Sequence, residues 1–371
     1  MALNVLVVDD MATYRKILHD IVSPLDGVAS VSTARSGPLA LKKLSENTYD
    51  LILLDVQMPE MDGIETLERI SKSHPECSVV LVSAATEKGS ETAIHALNLG
   101  ALDIIEKPHG KSVEENIAKL QTELNSVLKM LETRIHTRSI MGKLKTITQP
   151  SSLEVMGKPK IVTFPPKRRH PFLIKHSFGL LAIGSSTGGP VALAHVIPHL
   201  PPDLPVPVVL VQHMPPVFTE ALAKDLNKKS KIYVKEATQG DLLSPGTVYI
   251  APGGRHMTIG RGPEGFAVDL SDGPPVNSCR PAIDVLFQSL TKFQDTKSVL
   301  AVIMTGMGAD GLNGVETLKG NGCYCLAQSA KTCVVYGMPQ AVDNAGLTDE
   351  SIDLDELGPR IVELLIGGLK R

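Results

Sequence analysis

Short, nearly continuous apolar runs recur along the chain, and between them apolar positions return every three or four residues. In the first third the runs 5–8, 28–33, 51–54, 79–82 and 101–105 read as strands. The intervening stretches 14–22, 38–44, 64–71 and 91–99 carry helical periodicity. A strand without polar alternation is buried on both faces, so the pattern predicts a parallel sheet covered by helices on each side. Five such units, closed by a helix over 113–131, predict a small doubly wound, flavodoxin-like domain.

The alternation resumes after residue 179. Runs at 180–183, 206–212, 232–235, 248–250, 299–304 and 324–327 read as strands, and 190–197, 219–227, 281–291 and 311–319 as helices. This predicts a second, Rossmann-like α/β domain with one hairpin-like excursion around 248–270. Between the two, residues 134–175 hold ten Lys or Arg, one acid (Glu154) and five prolines, a linker composition. The predicted division is 1–131, linker 132–176, and 177–371. The linker's charge raises nucleic-acid binding as an alternative. It carries one aromatic, Phe164, before Phe172 and shows no recognition-helix pattern, so a solvated tether is the better reading.

Composition narrows the class. The chain has 371 residues, enough for two cores, and a net charge of −3, which does not advertise an affinity for nucleic acid. It contains no apolar run of the ~18 residues that a membrane span requires. Met1 to Asn4 lead straight into a strand and leave no room for a signal peptide, so a cytoplasmic protein is expected. The five cysteines (Cys77, Cys279, Cys323, Cys325 and Cys333) form no C-x-x-C pair and read as reduced thiols.

Candidate chemistry sits where predicted strands end. Asp9 and Asp10 follow the first strand and Asp55 the third; in a doubly wound sheet these ends line one crevice. Three converging carboxylates repel unless a cation lies between them, and hard oxygen donors suit Mg²⁺. Ser83 after the fourth strand and Lys107 after the fifth offer a hydroxyl and an ammonium to the oxygens of a phosphoryl group on Asp55. Residue by residue, a helix cap or a turn explains each; the ordered set is what carries the reading. The set, with Val7-Val8-Asp9-Asp10, Leu54-Asp55-Val56-Gln57-Met58-Pro59, Met61-Asp62-Gly63, Val82-Ser83-Ala84 and Glu106-Lys107-Pro108, resembles the response-regulator receiver family over about the first third of the chain. The resemblance implies Asp55 as phospho-acceptor, Asp9, Asp10 and Asp55 as Mg²⁺ ligands, and Ser83 and Lys107 as the switch pair. A cis Lys107–Pro108 bond is compatible with the weak trans preference of bonds to proline.

In the second domain, Ile183-Gly184-Ser185-Ser186-Thr187-Gly188-Gly189-Pro190 follows a strand and opens a helix. It lacks the lysine of a phosphate loop and the spacing of a dinucleotide loop. A Gly/Ser turn without chemistry competes with a serine presented on a tight turn, and spacing alone does not choose between Ser185 and Ser186. His213 and Asp310 tip the balance, each lying just past another apolar run. Serine, imidazole and carboxylate leaving one edge of a parallel sheet meet the requirement for general-base activation of a hydroxyl. Glycines around Met307 leave its backbone N–H free for an oxyanion, as do N–H groups near Thr187.

These segments, with Gln212-His213-Met214-Pro215, Tyr249-Ile250-Ala251-Pro252-Gly253, His256-Met257, Arg280-Pro281-Ala282-Ile283-Asp284-Val285-Leu286-Phe287, Met304-Thr305-Gly306-Met307-Gly308-Ala309-Asp310-Gly311 and Val334-Val335-Tyr336-Gly337-Met338-Pro339, resemble the catalytic domain of the chemotaxis protein-glutamate methylesterase family. The resemblance implies Ser186 as nucleophile, His213 as base and Asp310 as its orienter, with no cofactor for ester hydrolysis. It implies methylated chemotaxis receptors as substrate, receptor glutamine deamidation as a second activity, and a chemotaxis histidine kinase as phosphodonor. Arg280 and His256 are weaker candidates for substrate contact. One departure is Ser329-Ala330-Lys331 after Ala327-Gln328, where the family usually carries an acid or amide. Three rivals remain open. A partner-binding platform is opposed by the three strand-end groups. A DNA-binding regulator lacks a helix-turn-helix pattern, and a nicotinamide enzyme lacks the glycine pattern.

Overall fold

A computed structural model describes residues 2–84, 86–107, 112–146, 178–291 and 298–367. The first domain is a five-stranded parallel sheet of β1 (Leu3–Val8), β2 (Val28–Ala34), β3 (Leu51–Asp55), β4 (Ser78–Ala84) and β5 (Asp103–Lys107), in the order β2-β1-β3-β4-β5. Every residue of β3 is buried, as expected of a strand covered on both faces. Helices α1 (Ala12–Val22), α2 (Gly37–Glu46), α3 (Gly63–Ser73), α4 (Glu87–Asn98) and α5 (Val113–Thr146) supply the cover. Asp62 caps α3, accepting the Glu65 N–H at 2.8 Å, and Thr86 caps α4, accepting the Gly89 N–H at 3.1 Å. The closing helix continues to Thr146, past the expected boundary at 131 and into the basic stretch. Linker residues 147–176 and the Lys107–Pro108 bond lie outside the described residues.

The second domain is a seven-stranded parallel sheet. Its strands are β6 (Phe178–Ser185), β7 (Val208–Gln212), β8 (Tyr233–Glu236), β9 (Thr247–Ile250), β12 (Ser298–Ile303), β13 (Tyr324–Gln328) and β14 (Glu350–Ile352), in the order β14-β13-β12-β6-β7-β9-β8. The hairpin is a separate antiparallel pair, β10 (His256–Gly262) with β11 (Gly265–Ser271). Helices α6 (Gly189–Val196), α7 (Phe218–Lys229), α8 (Ile283–Ser289), α9 (Leu312–Lys319), α10 (Met338–Asn344) and α11 (Leu354–Ile366) surround the sheet. In β6 the four residues Leu180 to Ile183 have no exposed surface. Burying a large aliphatic side chain of this kind stabilises by roughly 1.5–3 kcal/mol.

Strand order decides where chemistry can occur. From β6 the chain builds outward through β7, then returns to the other side of β6 as β12. The connections leaving β6 and β12 therefore diverge and open a crevice beyond the strands' carboxyl ends. The first domain has the same feature between β1 and β3. Both candidate sites lie at these reversal points. The two domains touch: α4 packs on α7 and α6, and the core against α5 includes Val335, with Met307 and Val334 packed at its edge.

Candidate functional site

At the crevice of the first domain, Asp9 follows β1 and Asp55 ends β3. The Lys107 ammonium, at the end of β5, lies 2.8 Å from Asp9 Oδ2 and 2.8 Å from Asp55 Oδ2. Burial pushes the Asp55 carboxyl up, offset in part by the Lys107 bond. Burial pushes Lys107 the other way, but its two carboxylate partners outweigh this and hold the ammonium charged. Asp10 is exposed beside them, and one carboxylate oxygen from each of Asp9, Asp10 and Asp55 lies within 4.8 Å of the others. All-oxygen donors at this spacing fit a hard divalent cation such as Mg²⁺. Ser83 is buried in β4, its hydroxyl 3.4 Å from the Ala84 carbonyl.

The second site is built at the ends of β6, β7 and β12. Ser185 is fully buried and its hydroxyl donates to Gln212 Oε1 at 2.7 Å. Ser186, one residue on, is partly exposed. Its backbone is pinned: its N–H donates to the Thr305 carbonyl at 3.0 Å, and its carbonyl accepts from Gln212 Nε2 at 2.9 Å and from the Gly189 N–H at 2.7 Å. A methyl at Gly189 would fall 2.0 Å from Gln212 Oε1, so a larger residue there would displace the side chain that pins Ser186. The loop after β12 closes from the other side. A methyl at Gly306 would come within 2.7 Å of Ser186 Cβ. Among the described residues the Thr187 and Met307 backbone N–H groups have no hydrogen-bond acceptor.

His213 follows β7 and donates its N–H to the Ser185 carbonyl at 3.1 Å. Its Nε2 lies 2.8 Å from Asp310 Oδ2 and its Nδ1 3.5 Å from Cys279 Sγ. Among the described residues Ser186 Oγ is not hydrogen-bonded to the ring. Asp310 is buried and accepts four hydrogen bonds. Oδ2 takes His213 and the Ile283 N–H (2.6 Å); Oδ1 takes Asn277 Nδ2 (2.9 Å) and the Asp284 N–H (3.1 Å). Burial pushes the Asp310 carboxyl up, but the His213 bond and charge, with the other donors, outweigh it and hold it below the usual carboxylate range. Burial alone pushes the His213 imidazolium down. The bonds to Asp310 and Cys279 prevail, and the ring's pKa is raised to about 9.

Among the described residues the weaker candidates bond to neighbouring backbone and not to Ser186, His213 or Asp310. His256 is buried, with Nε2 2.9 Å from the Pro274 carbonyl and Nδ1 accepting the Ala282 N–H at 3.3 Å. Both ring nitrogens are engaged with backbone, so the ring braces the 274–282 segment and offers no edge to a substrate. Arg280 is exposed and donates to the Asp272 and Gly273 carbonyls. In the departing segment, the Ser329 hydroxyl donates to Asp353 Oδ1 at 2.5 Å and Lys331 pairs with Asp353 Oδ2 at 2.6 Å, which anchors the turn after β13 to the start of α11.

Sequence reasoning missed four contributors: Gln212, Cys279, Asn277 and Asp103. Gln212 falls inside a quoted motif without an assigned part, and Cys279, read only as a reduced thiol, directly precedes another. Asn277 lies in a tight turn closed by Val276 and Cys279 and carries no periodic signal. Asp103 belongs to the other domain: its Oδ2 accepts from the Thr187 hydroxyl at 2.6 Å. Burial pushes the Asp103 carboxyl up, against the pull of the Thr187 bond and the His213 charge.

Residues 181–361 match the CheB methylesterase family and residues 5–118 the response regulator receiver domain. A protein-glutamate methylesterase/protein-glutamine glutaminase of Desulfotalea psychrophila is 40% identical over 362 residues, covering 97% of this chain and 98% of its own. The protein of the same name from Halalkalibacterium halodurans is 40% identical over 360 residues, 97% of each chain. The crystal structure of the Thermotoga maritima CheB methylesterase catalytic domain is 40% identical, covering 51% of this chain and 99% of that one with a TM-score of 0.49. Among the described residues no helix is long and apolar enough to cross a membrane. Matched in both domains and over nearly its whole length, the chain belongs to the protein-glutamate methylesterase/protein-glutamine glutaminase family.

Proposed function

We propose that this chain is a cytoplasmic chemotaxis enzyme that hydrolyses glutamate γ-methyl esters on chemoreceptors and deamidates receptor glutamines, under control of phosphorylation at Asp55. The observation that carries the reading is the His213–Asp310 pair at 2.8 Å, set at the strand reversal beside the one partly exposed hydroxyl of the turn, Ser186. Ser186 Oγ attacks the ester carbonyl and passes its proton to His213. The tetrahedral oxyanion is held by the backbone N–H groups of Thr187 and Met307. As the bond to the methoxy oxygen breaks, His213 returns the proton and methanol leaves. Water, deprotonated by the same ring, then frees the glutamate carboxylate and restores the Ser186 hydroxyl. A glutamine side chain follows the same route with ammonia as leaving group.

Control by the receiver is supported by the Asp103–Thr187 bond and by the packing of Met307 and Val334 at the edge of the α5 core. Both expected oxyanion donors are thereby tied to the receiver. Phosphate on Asp55 adds charge within reach of Ser83 and Lys107 and shifts the docked equilibrium. A histidine kinase supplies that phosphate. Asp9, Asp10 and Asp55 would hold Mg²⁺, which neutralises the charge gathered at the acceptor.

The test is methanol release from methylated receptor membranes, with and without an acyl phosphate as phosphodonor. Wild type is stimulated and Asp55→Asn is not; equal stimulation of both would sink receiver control. Asp103→Ala is expected to raise unstimulated release by about tenfold, since it deletes the bond to the Thr187 hydroxyl, which exists in the docked form alone. No rise in that variant would remove Asp103 from the docking contact.

A further inference from the structure

Asp310 and Asp284 are two buried carboxylates that cap each other's helices. Asp310, which precedes α9, accepts the first two N–H groups of α8, those of Ile283 and Asp284. Asp284, the second residue of α8, returns the arrangement. Its Oδ1 accepts the Gly311 N–H at 3.0 Å and the Gly314 N–H at 2.7 Å, and its Oδ2 accepts Asn313 Nδ2 at 3.1 Å. The loop bearing Asp310 and the helix facing it are locked as one unit. Two neighbouring carboxylates in a buried site repel each other, and a neutral donor shared between them eases that repulsion.

Asn277 is that donor. Its Nδ2 lies 2.9 Å from Asp310 Oδ1 and 3.0 Å from Asp284 Oδ2, and an amide nitrogen has one proton for each. Asn277 adopts φ +52°, a left-handed conformation that asparagine tolerates better than most residues. It sits on an exposed turn outside both helices, so neither helix depends on it for its own hydrogen bonds.

We infer that Asn277 is a positioning residue for the hydrolysis: its amide ties Asp310 Oδ1 to Asp284 Oδ2 and so reinforces the rotation of the Asp310 carboxylate that points Oδ2 at His213. Each oxygen already has one backbone donor, Ile283 on Oδ2 and Asp284 on Oδ1; the Asn277 amide is a second, shorter bond to Oδ1 that tightens the torsion. Oδ2 must face the ring for the Nε2–H tautomer to persist and for Nδ1 to remain the proton acceptor. A lysine at position 277 would bridge the same oxygens but would add a charge opposing the imidazolium. The amide orients without that cost. The inference rests on the proposed roles of Ser186, His213 and Asp310.

The experiment compares the full-length chain and its Asn277→Gly, Asn277→Asp and Ser186→Ala variants on methylated receptor membranes with an acyl phosphate. Asn277→Gly keeps the left-handed backbone and removes only the amide. It is expected to lower kcat by about 10- to 100-fold, the range for one hydrogen bond to a buried charge, with KM little changed. Asn277→Asp puts a third carboxylate beside Asp310. The groups already facing His213 are Asp310, Cys279 and Asp103. A further negative charge stabilises the imidazolium, so the rise of kcat/KM with pH moves to higher pH. Wild-type kcat and an unmoved pH limb in both Asn277 variants, with Ser186→Ala inactive, would overturn the inference and leave the esterase reading intact. A Ser186→Ala variant as active as wild type would overturn both.

Discussion

Ser186→Ala is expected to lose methanol release by about 10⁴-fold or more, because nucleophile, base and orienting carboxylate act as a unit. The paired control is Ser185→Ala. The Ser185 hydroxyl is buried and spent on Gln212 Oε1, so its loss leaves one acceptor short of a donor and is expected to destabilise by about 1 kcal/mol. That change appears in thermal unfolding, with the chemical step largely kept. A stoichiometric burst with a serine-reactive ester analogue gives a second readout: present in wild type and Ser185→Ala, absent in Ser186→Ala. The reverse pattern would move the nucleophile to Ser185 and require the β6 end to rotate.

Asp310→Asn is expected to cost about 10³- to 10⁴-fold in kcat. All four groups around the Asp310 carboxylate are donors: His213 Nε2–H, the N–H groups of Ile283 and Asp284, and Asn277 Nδ2. An amide has one oxygen to offer them. If that oxygen faces His213, its NH₂ confronts Asn277 and Asp284. If it flips, the ring must turn its Nε2 lone pair to the amide and carry its proton on Nδ1, where it cannot accept from a serine. The anion that holds the imidazolium is also gone. The His213 pKa, raised to about 9 in the native site, therefore falls toward the ordinary imidazole value. Following the ring by NMR through pH 5–10 in wild type and variant checks this, since the direction is specific. An unmoved pKa with activity lost would mean that Asp310 acts by holding α8 in place and not through the ring.

Much of the architecture was legible along the chain. Strands such as 51–54 and 180–183 are buried on both faces, and that leaves a short apolar run whose length and flanking turn residues mark it as a strand. The polar residues ending those runs, Asp9, Asp55, the Ser185-Ser186 pair and His213, were legible for the same reason. Other elements were not named in advance. The strand β14 has three residues, too few for a pattern. Helix α11 shows its period at Leu357, Ile361, Leu364 and Leu365, but Gly358-Pro359 interrupts it; Gly358 is needed because a methyl there would fall 2.8 Å from His199 Cδ2. Helix α5 runs fifteen residues beyond the expected boundary at 131, because a basic stretch with no early proline can continue a helix already begun.

Local order in the chain reports burial, since a residue's face is set by its neighbours one to four positions away. It therefore carried the two α/β domains and the polar residues at their strand ends. It did not carry which of two adjacent serines stays reachable, which residue shares its protons between Asp310 and Asp284, or that Asp103 reaches Thr187 from another domain. Those contacts join positions 26, 33 and 84 residues apart. The first two exist only once the strands are ordered, because the reversal at β6 brings the ends of separate segments within a hydrogen bond of one another; the third also needs the two domains packed together.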